Sequence, residues 1–311
     1  LGANIEILTY FQAVKELLQK LRKFEIEIRK AVDSRMHGNF NSLFKGAGLE
    51  FDDVRSYQYG DDIRSIDWNV SSKGHGLFVK TFKEDREQTI FFLLDVSSSL
   101  TIGSQNVRKL DVAREICGVL TLSAIKQAGL VGLFAFSDKK EKYIKPGKGL
   151  SYAYQIIRSI FQYEPNQLRT SLNDAILFAL KIIKRKSVVI LISDFIDTDY
   201  QHTLGALARI HDLVVIHVYD PDEQNLPAIG IIPVVNPETG ARTWVNTSSL
   251  QFRKRVKEQF SDNLNNLSEF CRKQQVDMIS VNVRADYLPS LIELFKVKRK
   301  VKRNTKTSAI R

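Results

Sequence analysis

The sequence predicts an α/β fold: a doubly wound and mostly parallel sheet with helices on both faces, preceded by a helix and a small β-rich extension. Three observations predict it. From Gln88 onward, short apolar runs alternate with segments of helical periodicity. Two of those runs, Ile90-Phe91-Phe92-Leu93-Leu94-Asp95 and Ile190-Leu191-Ile192-Ser193-Asp194, stop abruptly at an acid. Both are apolar at successive positions, as strands covered on two faces must be.

In order, residues Ile5 to about Val32 carry Leu8, Phe11, Val14, Leu18 and Leu21 at three- and four-residue steps, a helix expected to pack on the main domain. Residues 33 to 88 are punctuated by glycine and rich in aromatics, which favours short strands at Gly48–Arg55 and Leu77–Phe82. Strands then follow at Thr89–Leu94, Leu130–Phe136, Ser187–Ile192, Leu213–Tyr219 and Met278–Val283. Helices are expected near Val107–Gln127, Ser151–Phe161, Leu172–Lys184, Gln201–Ile210 and Ser249–Gln274. The stretch Phe134 to Ile144 reads as a strand turning into an antiparallel edge hairpin. Pro221 to Thr247, with Pro227, Pro233 and Pro237, reads as an insertion near the sheet edge with strand around Trp244. A last helix from Tyr287 to about Lys298 precedes a basic tail. The resulting organisation is an extension over 1–87, an α/β domain over 88–295 and a tail over 296–311.

The net charge of +11 suggests an anionic partner until its distribution is examined. Eight basic residues and no acid follow Glu293, from Lys296 to Arg311, and leave about +3 for the rest. The tail is therefore read first as a solvated terminus. Nucleic-acid binding and contact with a membrane surface are its alternatives, although it lacks the aromatics of a single-strand platform. Cys117 and Cys271 sit in helical patterns and are expected to be buried, reduced thiols. No apolar run reaches the roughly 18 to 20 residues that cross a bilayer, and no signal peptide is visible. The expected location is cytoplasmic.

Chemistry is expected at the carboxyl ends of the parallel strands, where such sheets bind ligands. Three loops there are rich in oxygen: Asp95, Ser97 and Ser99 in Asp-x-Ser-x-Ser, then Thr170 just before a helix, then Asp194. Each has a plain alternative. Ser and Thr before helices are usually N-caps, and Asp after a strand commonly satisfies backbone donors of the next turn. Asp197 and Asp199 are expected to favour the first turn of the following helix. His217, alternating within an apolar strand, is expected to be a satisfied core residue.

Taken together and in that order, Asp95, Ser97, Ser99, Thr170 and Asp194 resemble the metal-ion-dependent adhesion site of von Willebrand factor A domains. The resemblance spans about Gln88 to Val283 and departs at Arg169, where that family often has Gly. It implies that hydroxyls and acids hold Mg²⁺, with Mn²⁺ or Ca²⁺ as alternatives. Upstream, Asp53-Val54-Arg55-Ser56-Tyr57-Gln58-Tyr59-Gly60-Asp61-Asp62-Ile63-Arg64-Ser65-Ile66-Asp67-Trp68 resembles the hallmark of the bacterial family catalogued as domain of unknown function 58. Members are commonly encoded beside MoxR-type AAA+ ATPases, which implies such a partner. Trp68 and the tyrosines of this segment are expected to be packing residues.

Five oxygen-bearing residues with only two acids would leave a hard cation electrophilic, with room for an Asp or Glu from a protein partner. The expected function is thus a non-catalytic, metal-dependent protein-interaction module. Metal-dependent hydrolysis is the enzymatic alternative. A strand ending in Asp also opens the haloacid-dehalogenase motif, but there a second Asp follows two residues later, where this chain has Ser97. No P-loop, GxGxxG or HExxH motif is present.

Overall fold

Each central strand divides its side chains between two cores, and this division builds the sheet. In the computed structural model, Ile90, Phe92 and Leu94 enter one core while Phe91 and Leu93 enter the other. Residues 188–192 and 213–216 alternate in the same way. A strand buried on both faces needs apolar residues at every position, which is why the runs are continuous. The structure describes residues 19, 45–72, 74, 76–101, 103–104, 107–126, 129–163, 169–235, 242–291 and 294. The helix expected at Ile5–Val32, residue 19 apart, and the basic tail from Lys296 lie outside them.

The extension comprises strand β1 (Lys45–Ser56), a short turn of helix α1 (Trp68–Ser71) and β2 (Phe78–Glu87). The α/β unit follows with β3 (Thr89–Asp95), helix α2 (Ser98–Thr101), the two-residue strands β4 (Gly103–Ser104) and β5 (Val107–Arg108), and α3 (Lys109–Lys126). Next come β6 (Leu130–Phe136), β7 (Lys140–Gly147), α4 (Leu150–Phe161), α5 (Leu172–Ile182) and β8 (Val188–Ser193). The chain continues through α6 (Gln201–Ile210), β9 (Asp212–Tyr219), α7 (Pro221–Gln224), β10 (Ile231–Val235), β11 (Arg242–Asn246), α8 (Leu250–Lys273) and β12 (Asp277–Asn282). Residues 288–291 are helical again.

The main sheet has the order β12-β9-β8-β3-β6-β7, parallel throughout except for the antiparallel edge strand β7. This is the doubly wound, mostly parallel arrangement that the sequence led us to expect. Helices α3 and α4, with Leu288, Leu291 and Leu294, supply the core on one face. Helices α5, α6 and α8 supply the other. Strand β3 has β6 on one side and β8 on the other, so the winding reverses at β3. The crevice between the carboxyl ends of β3 and β8 is the topological switch point, the place where open α/β sheets bind ligands. One close approach fixes the β3–β6 contact: a Cβ on Gly132 would meet the Phe91 ring at 2.7 Å.

The extension is an antiparallel β1–β2 hairpin with register shifts between Gly46 and Leu49 and between Phe51 and Asp53. Its hallmark segment corrects one expectation. Trp68 is 63% exposed and Tyr59 fully exposed, so these rings are not packing residues. Acids order the segment instead. Asp61 takes both Arg55 guanidinium nitrogens at 2.7 Å and also accepts from the Gln58 N–H. Asp62 caps the turn at Ile63–Ser65 and Asp67 caps α1. A turn held by backbone caps does not need its aromatic rings inside, and Ile66 is the buried apolar residue. Strand is present around Trp244 as expected: β10 and β11 pair antiparallel in a two-stranded sheet of their own.

Candidate functional site

Five hydrogen bonds stitch the three oxygen-rich loops to one another and to the end of β6. The Val96 N–H donates to the Phe136 carbonyl at 2.8 Å, holding the first loop against β6. The Asp138 N–H donates to the Arg169 carbonyl at 2.9 Å, and the Ser171 N–H to the Ser137 carbonyl, holding the second loop there too. The Leu172 N–H donates to Asp197 Oδ2 at 2.7 Å, joining the second loop to the third. The Ser193 hydroxyl donates to Asp95 Oδ2 at 2.6 Å, which closes the circuit across the β3–β8 crevice. Parallel pairing sets Leu94 beside Ile192, so Asp95 and Ser193 meet where both strands end.

Within this frame, Ser97 Oγ and Ser99 Oγ stand 3.0 Å apart and are buried. Asp95 is wholly buried and also accepts from the Ser97 N–H at 2.9 Å, the turn-satisfying role open to any strand-end Asp. Burial first, and Asp194 nearby second, push its carboxyl up to about 7, with the Ser193 and Ser97 hydrogen bonds opposing them. Asp194 likewise accepts from its own turn, from the Ile196 N–H at 3.3 Å.

The N-cap alternative for Thr170 does not hold. Ser171 caps α5, accepting from the Asp174 N–H, and Thr170 is left with a buried Oγ1 that has no hydrogen-bond partner among the described residues. Asp197 also departs from expectation. It serves the N-terminus of α5 rather than that of the next helix, because the circuit of loops brings its carboxylate over Leu172; α6 has no acid in its first turn. Asp199 adopts a left-handed backbone conformation, φ 61°, in the bend before α6. His217 is the buried residue expected, its Nδ1 3.2 Å from Ser280 Oγ. Cys117 and Cys271 are free and buried.

Sequence reasoning missed Lys109 and Glu223. The ammonium of Lys109 is fully buried, 2.8 Å from Asp194 Oδ2 and 2.5 Å from Glu223 Oε1. Burial pulls the Lys109 pKa down, but the two carboxylates outweigh it and leave the value raised. Glu223 is raised by burial, with Lys109 opposing. Glu223 belongs to α7, directly after β9, and Arg284 clamps the start of that turn through Asp220 at 3.2 Å and through Asp222.

The residues fit a hard divalent cation in their chemistry. Three hydroxyls, one of them buried without a partner, flank two acids, and oxygen donors are what such cations take. No group of three or more His, Cys, Asp or Glu side chains suited to a metal occurs among the described residues.

A family model described as "Protein of unknown function DUF58" matches residues 53–266, more than two thirds of the chain. The chain belongs to the DUF58 family. Uncharacterized proteins of Mycobacterium tuberculosis and Mycobacterium bovis are each 27% identical to it over 228 residues, covering 72% of this chain and 72% of the relative. Among solved structures, the conserved hypothetical protein BatB of Bacteroides thetaiotaomicron is similar with a TM-score of 0.45. It is 13% identical, covering 68% of this chain and 99% of BatB. Proximal thread matrix protein 1 from the mussel byssus, described with a zinc-occupied MIDAS motif, is similar with a TM-score of 0.34. It is 21% identical, covering 42% of this chain and 35% of that one. Among the described residues of this DUF58 protein, no helix is long and apolar enough to cross a membrane.

Proposed function

We propose that this DUF58 protein is a non-catalytic protein-interaction module that depends on a divalent cation. Asp95, Ser97, Ser99, Thr170 and Asp194 would hold the cation, Mg²⁺ or else Mn²⁺ or Ca²⁺. The observation that carries the reading is the Thr170 hydroxyl, buried without a hydrogen-bond partner among the described residues, in a loop tied directly to the Asp194 loop and, by way of the end of β6, to the Asp95 loop. A buried polar atom without a partner costs stability, and an ion is one reason to keep it. When bound, the cation supplies an electrophilic position for an acidic side chain from a partner protein. The chain's part is orientation: Ser193 and the Ser97 N–H fix the Asp95 carboxylate, and the Ser171 cap leaves the Thr170 hydroxyl free. A MoxR-type AAA+ ATPase is the proposed partner, in the assembly or maturation of protein complexes. A cytoplasmic location belongs to the same reading and suits two free, buried thiols.

Capture of partners from native lysate, with and without chelator, tests the module. Binding that survives chelation and is unchanged in Asp95→Ala would end this reading, and phosphoester turnover abolished by Asp95→Ala would replace it with a hydrolase. Thr170→Val gives a sharper test, since it keeps shape and removes one oxygen. The metal-free variant should be as stable as the wild type or about 1 kcal/mol more stable, because an unsatisfied hydroxyl is gone. Its affinity for Mn²⁺ should fall by about tenfold or more, the loss expected for a ligand contributing 1.4 kcal/mol or more. Equal Mn²⁺ affinity in a folded Thr170→Val protein would remove Thr170 from the site.

A further inference from the structure

Lys109 stands where neither solvation nor helix electrostatics favours a cation. It is the first residue of α3, the end at which the helix macrodipole is positive, and it is fully buried. Its neighbour Arg108 meets Asp111 in an exposed pair of the ordinary surface kind. Lys109 instead points inward to Asp194 and Glu223, 85 and 114 residues away in sequence. The contact with Asp194 takes up one oxygen of a residue proposed to hold the cation.

We propose that Lys109 is a built-in cation that weakens divalent-cation binding at the Asp95–Asp194 site, and that Glu223 offsets part of this weakening. The inference rests on the metal reading above. A divalent ion bound through Asp194 would share that carboxylate with a fixed ammonium, and like charges a few ångströms apart inside a protein repel strongly. Glu223 opposes this, since it neutralises Lys109 through Oε1 and its Oε2 is buried with no hydrogen-bond partner among the described residues. The acids are thus partly neutralised before any metal arrives, and occupancy becomes conditional on free cation concentration. Being fully buried, Lys109 cannot itself receive a partner's carboxylate, so its effect runs through the site alone.

Mn²⁺ affinity, measured by electron paramagnetic resonance on the full chain, tests the proposal with wild type, Lys109→Met, Glu223→Gln and the double variant. Lys109→Met removes the positive charge and should tighten Mn²⁺ binding on the order of tenfold or more. Glu223→Gln removes a negative charge, keeps the side-chain shape and should weaken binding by a comparable factor. The double variant, with the wild-type net charge, should return close to wild type. A lysine needed only for folding would not produce these opposite changes. If the wild type binds Mn²⁺ and Lys109→Met binds it no more tightly, the role of Lys109 falls while the metal site stands. If none of the four proteins binds Mn²⁺, the metal reading falls with it. Should Lys109→Met fail to fold, Glu223→Gln decides: weaker binding than wild type supports the proposal, and equal or tighter binding overturns it.

Discussion

Asp194→Ala is expected to destabilise the metal-free protein by about 3–5 kcal/mol, the range found when one partner of a buried ion pair is removed. The reason lies in Lys109, which cannot reach water and would be left with Glu223 as its remaining acid. Asp194→Asn should cost less, because the amide oxygen can still accept from the ammonium. Asp95 should behave differently, although it is the other acid of the site. It is buried with no ion-pair partner among the described residues and its charged form is disfavoured, so Asp95→Asn should leave the chelated protein nearly as stable as wild type. Urea unfolding in the presence of chelator keeps metal linkage out of the comparison. Equal stability of Asp194→Ala and wild type would mean that the Lys109 pair is not formed in solution.

The contrast between those two acids marks where sequence reading ends. The β3 and β8 runs were legible because a strand covered on both faces has to be apolar at successive positions, and because each ends at an acid. Helix limits were legible to within a residue or two where a cap punctuates them, as Ser249 does for α8. Lys109 was not legible. A lysine beside Arg108 at the start of a helix looks solvated, and the acids that justify its burial lie far away along the chain. Glu223 was hidden for another reason, lying in a Pro-containing stretch without periodicity whose path only the tertiary structure defines. The identity of Asp95, Ser97, Ser99, Thr170 and Asp194 as candidates could be read from their order. That Ser171 rather than Thr170 caps α5, and that Asp197 reaches back to Leu172, depends on how the loops fold over one another. In the extension, aromatics were credited with packing that acids perform, since hydrogen-bonded caps fix a short turn without burying large rings.

Acid should destabilise the fold through His217. The imidazole is buried in β9, stacked on Tyr219 at 5.6 Å, and its Nδ1 meets Ser280. Burial lowers its pKa from the ordinary 6.5 to about 4; Asp194 opposes this and Lys109 adds to it. A histidine depressed in the native state takes up a proton first in the unfolded chain. Its contribution is therefore fully present above about pH 6.5, is lost as the pH falls towards 4, and changes no further below that. The gap between those values corresponds to roughly 3 kcal/mol. His217→Asn keeps a polar atom facing Ser280 but cannot titrate, so unfolding free energies of the two proteins, followed from pH 7.5 to 4, isolate this term from the carboxylates they share. The wild type should lose roughly 3 kcal/mol more than the variant across the window. Parallel curves would mean that His217 accepts its proton inside the folded protein, which would require water or an acid to reach the strand between β8 and β12.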